Sequence, residues 1–315
     1  MAKVWTMGEL LCEIMRPEVD MPLDLADIFY GPFPSGAPAI FIDTVARLGH
    51  SSGIIGGVGK DDFGKCLLDR LNKSGVDTSQ IKQYDDGATG VAFVTYFNDG
   101  SRRFLYHFPD TPATRPTAPE LDALGNDIEY FHIMGCSLMA KKEFGTEIVK
   151  LANALAEAGT KISFDPNIRP ELMKDDFVHK MITDVMSSCS VFLPGVSELL
   201  AVSGKHSVEE AVKACFDSPT LEVIALKRGS EGCTIFSRSE KFDMGVYEVD
   251  AKDPTGAGDC FDAAFLCGLM EGKTKREAAQ MASAAAALNT AVLGPMEGDI
   301  SKTSVENVIR QQKVI

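Results

Sequence analysis

Short apolar runs alternate with longer amphipathic segments along this chain, and this alternation constrains the fold more than any other sequence feature. The short runs, which are typical of buried strands, are residues 4–11, 53–58, 129–134, 161–164, 191–193, 223–226 and 233–236. In residues 143–157, apolar residues recur at helical spacing, and residues 62–71, 174–186, 208–216 and 275–291 behave alike. The alternation predicts an α/β fold with a mostly parallel central sheet flanked by helices on both faces.

Two segments depart from that alternation. Residues 91–97 and 102–108 are rich in β-forming residues and flank Asn98-Asp99-Gly100-Ser101, which predicts a hairpin. We expect this hairpin to be either a functional flap or an edge decoration without a function. Residues 21–38 carry four prolines and predict an irregular insertion. Because no repeat or linker interrupts the pattern, we expect one domain over residues 1–315.

The charge balance excludes some classes of partner. The chain has 45 acidic and 31 basic residues, a net charge of −14, and no basic cluster longer than two residues. A protein that binds a phosphate backbone needs a basic stripe, so we expect no nucleic-acid partner. A small anion is still compatible with this charge, because backbone dipoles can hold it.

The sequence lacks recognisable targeting signals, which predicts a cytoplasmic protein. No apolar run reaches the roughly 18 residues of a membrane span, so we expect no membrane partner. Residues 1–15 lack the charged-then-apolar order of a signal peptide. The eight cysteines form no CxxC pair, which favours reduced thiols and argues against zinc.

The strongest chemical signal is the segment Asp253-Pro-Thr-Gly-Ala-Gly-Asp259, and we call residues 253–258 the anion loop. Gly256, Ala257 and Gly258 lack bulk, so their amides can approach a ligand closely. A helix is expected to begin at about Asp259, and free amides at a helix N-terminus bind anions. Asp259 could be a simple helix cap, or it could take a proton from a hydroxyl that attacks a phosphoryl group. The paired glycines favour the second role, because a cap does not need them.

These residues resemble a known family. The segment DPTGAGDCFDAAF is similar to the C-terminal signature of the PfkB/ribokinase family of sugar kinases, and Ser35-Gly36-Ala37-Pro38-Ala39 with Gly49 and Gly59 reproduces the N-terminal one. Gly8-Glu9, Asp165-Pro-Asn-Ile-Arg169, Glu198 and Gly229-Ser-Glu-Gly232 also fall in family order. The resemblance covers essentially the whole chain and implies a ribokinase-like fold with a small β lid, formed by residues of about 12–34 and 88–110. The string PFPSGAPAIFID resembles the tagatose-kinase branch.

The resemblance also implies roles for individual residues. Asp259 would be the catalytic base, and the amides of Gly256, Ala257 and Gly258 would hold the transferring phosphoryl group. It further implies ATP, Mg²⁺ and a monovalent cation such as K⁺. The ATP side would comprise Glu198, Lys227, Gly229, Gly232, Gly256, Gly258 and Asn289, with Glu198 ordering magnesium-bound water. The cation site would comprise Asp253, Thr255, Asn289, Val292 and Gly294.

For the sugar, the resemblance implies contacts from several elements. The candidates are Glu13, Gly36, Ala37, Arg103, Asn167, Arg169 and Asp259. Two positions depart from the family pattern: Ile40 replaces an Asn of the first signature, and Gly195 replaces the Asn before the magnesium Glu. The first departure makes the sugar pocket more apolar at that corner.

The expected activity is ATP-dependent transfer of the γ-phosphoryl group to a hydroxyl of a ketohexose, tagatose ahead of fructose and C6 ahead of C1. The alternatives are a 2-keto-3-deoxygluconate kinase, for which Arg103 or Arg169 would grip the carboxylate, and a ribokinase or nucleoside kinase. A nicotinamide oxidoreductase would need a complete glycine fingerprint near the first strand, which the sequence lacks. A non-catalytic sugar sensor would tolerate loss of the catalytic base, whereas Asp259 is present in this sequence. We also expect a homodimer that forms through the lid.

Overall fold

The computed structural model describes residues 1–99, 101–168, 177–312 and 314. Within these residues the strands are β1 (Val4–Met7), β2 (Leu11–Met15), β3 (Tyr30–Ser35), β4 (Ser52–Gly59), β5 (Ile81–Tyr84), β6 (Gly90–Tyr96), β7 (Arg102–His107), β8 (Tyr130–Met134), β9 (Lys161–Asp165), β10 (Cys189–Phe192), β11 (Val223–Lys227), β12 (Cys233–Ser237) and β13 (Lys241–Met244). The helices are α1 (Ala37–Arg47), α2 (Asp62–Ser74), α3 (Gly135–Ala140), α4 (Lys142–Glu157), α5 (Phe177–Ser188), α6 (Val196–Ser203), α7 (Val208–Cys215), α8 (Ala257–Met270), α9 (Lys275–Thr290) and α10 (Lys302–Gln311).

Nine of the strands in the described ranges form one large sheet, in the order β13-β12-β11-β10-β9-β8-β1-β4-β5. All pairings from β5 to β11 are parallel, and β12 and β13 extend the sheet antiparallel. Every residue of β1, β4, β8 and β10 is buried. Since neighbouring strand residues point to opposite faces, both faces of this sheet are covered.

The helices provide that cover in two packed groups. Helices α1, α2, α8, α9 and α10 pack in one group, and α3 to α7 pack in the other. Members of both groups contact the large sheet, α1 on β1 and β4, and α4 on β8 and β9. The α/β class and the mostly parallel sheet are confirmed.

Strands β2, β3, β6 and β7 form a second, smaller sheet in the order β3-β2-β6-β7. Strands β6 and β7 are the expected hairpin, with Tyr96 opposite Arg102 next to its turn. Strand β2 pairs parallel with β6 and antiparallel with β3, which joins the two N-terminal strands to the hairpin. The small sheet predicted beside the central one is confirmed.

The structure corrects two local predictions. Residues 4–11 do not form one strand: β1 ends at Met7 in the large sheet, and β2 begins at Leu11 in the small one. Residues 21–38 are not irregular throughout, because they contain β3. Its prolines are tolerated because β3 lies at the edge of the small sheet, where one side of the strand needs no N–H donors.

Candidate active site

The anion loop leads directly into α8 and is held from several directions. The Asp253 carboxylate accepts hydrogen bonds from the Tyr96 hydroxyl (2.8 Å) and from the backbone N–H groups of Thr255 (2.9 Å) and Gly294 (2.9 Å). The Asn289 side-chain amide donates to the Thr255 carbonyl at 2.7 Å. The loop is therefore fixed before any ligand binds.

The two glycines of the anion loop differ in what they require. Gly256 caps α8 with φ +80°, and a Cβ there would lie 2.7 Å from the Pro295 carbonyl oxygen. A side chain at Gly256 would thus be strained and obstructed. At Gly258 φ is not positive, and a Cβ would meet only Lys227 Nζ, at 3.8 Å. Gly258 is needed for free space above the helix N-terminus, where the first-turn amides lack helical acceptors.

Asp259 lies in the first turn of α8 and is 8% exposed. Asn167 donates to its Oδ1 at 3.3 Å, and the backbone N–H of Asn167 is in turn held by Asp165 at 3.0 Å. Both Asp259 and Asn167 line a cavity of about 200 Å³ beside the small sheet. We call it the sugar-side cavity. The carboxylate thus faces a space in which a hydroxyl group can be placed.

A half-buried cation lies beside the anion loop. The Lys227 ammonium is 2.8 Å from Asp165 Oδ2 and 2.9 Å from Asp262 Oδ2. Burial alone would lower the pKa of Lys227, but the two carboxylates outweigh it and raise the pKa, so the ammonium stays charged. Lys227 and Gly258 line the sugar-side cavity and also a second one. The two cavities therefore meet at the N-terminus of α8.

Glu198, in the first turn of α6, accepts hydrogen bonds from the backbone N–H groups of Gly195 (2.6 Å) and Ile168 (2.8 Å). Burial and the nearby Asp165 carboxylate raise its pKa. In the described part of the chain, no three His, Cys, Asp or Glu side chains cluster as a metal site. Glu198 thus fits an outer contact to hydrated Mg²⁺, an ion that keeps most of its waters and is otherwise held by phosphates.

Three predicted sugar residues from the N-terminal half converge on the sugar-side cavity. Glu13 from β2, with Gly36 and Ala37 at the start of α1, lines it. The Ser35 hydroxyl donates to Glu13 Oε1 at 2.7 Å, whereas Oε2 has no partner among the described residues. Burial raises the pKa of Glu13 to about 7. Glu13 is therefore a buried acceptor with an unused oxygen.

The structure does not bring Arg103, a predicted sugar residue, to the sugar-side cavity. Arg102 lines the cavity, as do Phe104 and Tyr106, whereas Arg103 lies on the opposite face of β7 and is exposed. The reason is that successive side chains of a strand point to opposite faces, so Arg102 and Arg103 cannot both face the cavity. The other predicted arginine, Arg169, lies outside the described residues.

The second cavity, which we call the nucleotide-side cavity, has a volume of about 640 Å³. Gly229 and Gly232 line it near Lys227, as predicted for the ATP side. Its other walls are mostly apolar: Val246, Tyr247, Val249, Phe261, Ala286 and Ala287. A flat apolar ring fits such walls. Glu198 lines the sugar-side cavity instead, and Asn289 is buried behind the anion loop and lines neither cavity.

The residues predicted for a monovalent cation also come together. Asp253 contacts Thr255 and Gly294, Asn289 contacts Thr255, and the Val292 N–H lies 3.5 Å from the Asn289 carbonyl. The Asn289 Oδ1 atom is buried and without a hydrogen-bond partner in the described ranges, which suits a cation held by oxygens.

Sequence reasoning missed several cavity residues. Glu9 lines the sugar-side cavity and accepts hydrogen bonds from the Cys136 thiol (3.2 Å) and the Ser137 hydroxyl. The Gly8-Glu9 pair marked family order, but nothing in it indicated that Glu9 faces the cavity. Arg102 and Tyr106 could be predicted only if the face of β7 that points to the cavity were known. Tyr96 carried no sequence signal, because its partner is 157 residues away.

The fold and the two joined cavities define a class of enzyme that transfers a group between two bound substrates. Sequence comparison agrees, because the family model for pfkB family carbohydrate kinases matches residues 32–302. A fructokinase of Escherichia coli is 30% identical over 275 residues, covering 85% of this chain and 84% of its own. Fructokinase-1 of Oryza sativa is 30% identical over 301 residues, covering 92% of each chain.

A solved structure supports the same assignment. An Escherichia coli protein named ribokinase II, in complex with ATP and Mg²⁺, superposes with a TM-score of 0.93 at 36% identity, covering 99% of this chain and 100% of its own. The chain belongs to the pfkB family of carbohydrate kinases. The predicted family, the ribokinase-like fold and the sugar-kinase class are confirmed.

None of the helices in the described ranges is long and apolar enough to cross a membrane.

Proposed function

We propose that this chain is an ATP-dependent kinase that phosphorylates a hydroxyl of a neutral ketohexose, fructose or tagatose. The observation that carries the proposal is the position of Asp259, at the N-terminus of α8 where the polar sugar-side cavity meets the apolar nucleotide-side cavity. The fructokinase relatives and the ATP and Mg²⁺ in the similar Escherichia coli structure support it.

In the proposed reaction, the sugar hydroxyl lies against the Asp259 carboxylate, which accepts its proton as the oxygen attacks the γ-phosphorus. The bond from phosphorus to the β–γ bridging oxygen breaks, and ADP leaves. Amides at the N-terminus of α8 stabilise the charge on the transferring group, and Lys227 adds a fixed positive charge below them. Mg²⁺, when bound with ATP, neutralises phosphate charge, and Glu198 would hold its water.

The charges in the sugar-side cavity favour a neutral substrate. Among the described residues, five carboxyl groups line it, against two cations: Glu9, Glu13, Asp165, Glu198 and Asp259, against Arg102 and Lys227. Lys227 is already paired twice, so a substrate carboxylate would depend on Arg102 alone among these two. Sugar hydroxyls, by contrast, are the donors that carboxylates require. Within the described residues this argues against the 2-keto-3-deoxygluconate alternative; Arg169, the other arginine expected to hold the carboxylate, lies outside them.

The test is kcat/KM for fructose, tagatose, ribose, adenosine and 2-keto-3-deoxygluconate with the same ATP and Mg²⁺ concentrations. We expect one of the two ketohexoses to lead, and NMR of its product should show phosphate on C6 rather than C1. A clear preference for the keto-deoxy acid, ribose or adenosine would contradict the substrate class. An added series with K⁺ and Na⁺ tests the cation residues.

We further propose that the chain is a single domain and that its small sheet is a lid over the sugar. Two faces of the small sheet have different characters: Arg102, Phe104 and Tyr106 face the cavity, while Leu105 is 45% exposed. Exclusion of water by such a lid would protect ATP from wasteful hydrolysis.

The exposed face of the lid supports the proposed homodimer. Apolar side chains are exposed on β3, on β7 and on the segment before β3: Leu25, Ile28, Tyr30 and Leu105. Exposed apolar groups at the edges of a sheet favour pairing with a second copy. Sedimentation should give a dimer that Leu105→Glu weakens; a monomer at all concentrations would remove this proposal.

The charge of −14 supports the absence of nucleic-acid partners, and a cytoplasmic location stays a prediction.

A further inference from the structure

A chain of hydrogen bonds links the small sheet to the anion loop. The Tyr96 hydroxyl, at the end of β6, is 2.8 Å from Asp253 Oδ1 and 2.7 Å from Thr255 Oγ1. Arg102, opposite Tyr96 on β7, donates from Nη1 to the same Thr255 hydroxyl at 3.3 Å. Two facing residues of the small sheet thus end on one threonine of the anion loop.

The donors in this chain can be assigned. A carboxylate only accepts, so the Tyr96 hydroxyl donates to Asp253. Its oxygen then accepts from the Thr255 hydroxyl, which accepts from Arg102. Each group donates to the next, from Arg102 to Thr255 to Tyr96 to Asp253, and such chains strengthen cooperatively where water is excluded. Asp253 and Thr255 are 1% and 4% exposed, so the loop end of the chain meets that condition, whereas Tyr96 is half-buried and Arg102 is exposed.

The two ends of the chain touch different parts of the site. Arg102 lines the sugar-side cavity. Asp253 binds the backbone N–H groups of Thr255 and Gly294, and so fixes the anion loop just before α8. The phenol of Tyr96 is a hydrogen-bond donor at neutral pH. A displacement of the small sheet would therefore pull on the loop through Tyr96.

We propose that Tyr96 is a positioning residue that couples the small sheet to the anion loop, so that a sugar contacting Arg102 also sets the loop for phosphoryl transfer. The inference rests on the proposed function of the site. Misplacement of reacting groups by about 1 Å can cost a factor of 100 in rate, so a coupling of this kind affects turnover without either substrate touching Tyr96.

The first experiment is a double-mutant cycle. Tyr96→Phe removes the hydroxyl and keeps the ring, and Thr255→Val removes the partner hydroxyl. We expect each variant to lower kcat about tenfold, with the KM of both substrates within about twofold of wild type, and the double variant to be no slower than the worse single one. Thr255→Ser, which keeps the hydroxyl, should restore turnover. Tyr84→Phe, on β5 and outside both cavities, is the matched control.

Kinetic outcomes can overturn the inference on their own. Turnover of Tyr96→Phe within twofold of wild type, while Asp259→Asn is inactive, removes the coupling and leaves the kinase intact. Effects that multiply to about 100-fold in the double variant mean that the two hydroxyls act independently, which also removes it. Thr255→Val provides the same comparison if Tyr96→Phe does not fold.

A second readout does not depend on activity. Hydrogen exchange of the anion-loop amides in the ligand-free protein should be about tenfold faster in Tyr96→Phe than in wild type or Thr255→Ser, because one anchor of Asp253 is lost. Unchanged exchange would overturn the inference. If the wild-type protein phosphorylates no sugar but Tyr96→Phe still exchanges its loop amides faster, the proposed function is contradicted and the coupling is retained.

Discussion

The two cavities that meet at α8 are built on different principles. The sugar-side cavity, of about 200 Å³, is lined by charged and polar side chains from β2, β7, α6 and α8 together with apolar ones such as Leu11, Ile40 and Phe108. The nucleotide-side cavity, of about 640 Å³, is lined mostly by apolar side chains and glycine backbone from the C-terminal third of the chain. We therefore expect the first cavity to select its ligand mainly by hydrogen bonds and charge, and the second mainly by shape.

This difference predicts different responses to substitution. An unpaired polar group in the sugar-side cavity is costly, because burial removes its water. An apolar wall tolerates exchange of one similar side chain for another. Single conservative changes should therefore act strongly on the sugar side and weakly on the nucleotide side, with the largest effects at the junction.

The largest effect is expected at the junction itself. Asp259→Asn should lower kcat by about 10² to 10⁴, the usual contribution of a general base, while ATP still binds because the backbone amides are unchanged. Steady-state kinetics measure kcat, and titration with ATP measures ATP binding. Asp62→Asn is the matched control, since Asp62 is an exposed acid in the first turn of α2. Near-normal turnover of folded Asp259→Asn would reduce Asp259 to a helix cap.

Substitutions of the two anion-loop glycines should have different effects, one on turnover and the other on stability. Gly258→Val should fold and lose roughly 100-fold in kcat, because the side chain enters the space where the cavities join. Gly256→Val should lose on the order of 1–3 kcal/mol of unfolding free energy, because it forces a β-branched residue to φ +80° beside the Pro295 carbonyl. Urea unfolding and kinetics of both variants separate these effects. Wild-type turnover of Gly258→Val would refute the anion-hole assignment.

Removal of the Glu13 charge should act on the sugar alone. Glu13→Gln is expected to lower kcat/KM for the sugar by about 10- to 100-fold and leave the KM for ATP unchanged. Glu18→Gln, at an exposed position just after β2, is the control. An equal rise in both KM values would contradict the separation of the two cavities.

The same substitution should change the pH dependence of stability. The pKa of Glu13 is about 7 in the folded protein, above its ordinary value of 4.5, so the folded state holds a proton that the unfolded state releases. Wild type should therefore lose up to about 3 kcal/mol relative to Glu13→Gln as the pH rises from 4.5 to 7. Urea unfolding at pH 5 and pH 8 measures this. A constant difference between the two proteins would contradict burial of an ionisable Glu13.

The smallest expected effect distinguishes neighbouring arginines. Arg102→Ala should lower kcat/KM for the sugar about tenfold, through loss of a charged donor at the cavity. Arg103→Ala, on the opposite face of β7, should stay within about twofold of wild type. Kinetics with one sugar suffice for the comparison. The reverse order would restore the assignment made from sequence.

Local pattern was sufficient for most strands of the large sheet, but not for β5, β13 or the end of β1. The run at 53–58 lies within β4, the run at 129–134 overlaps β8, and the run at 223–226 lies within β11. A strand buried on both faces is apolar at nearly every position, which makes it visible as such a run. The same reasoning failed for β3, since its prolines are compatible with a strand only at a sheet edge, and the edge is set by pairing with distant β2.

The sequence by itself determined the α/β class, the family and the position of Asp259 at the start of a helix, because these depend on periodicity and on residues adjacent in the chain. Tertiary structure alone decided that Arg102 faces the cavity, that Glu9 joins the carboxylates there, and that Tyr96 reaches Asp253. The physical reason is that such contacts depend on strand phase and on how two sheets are placed, and both are fixed by packing across many residues.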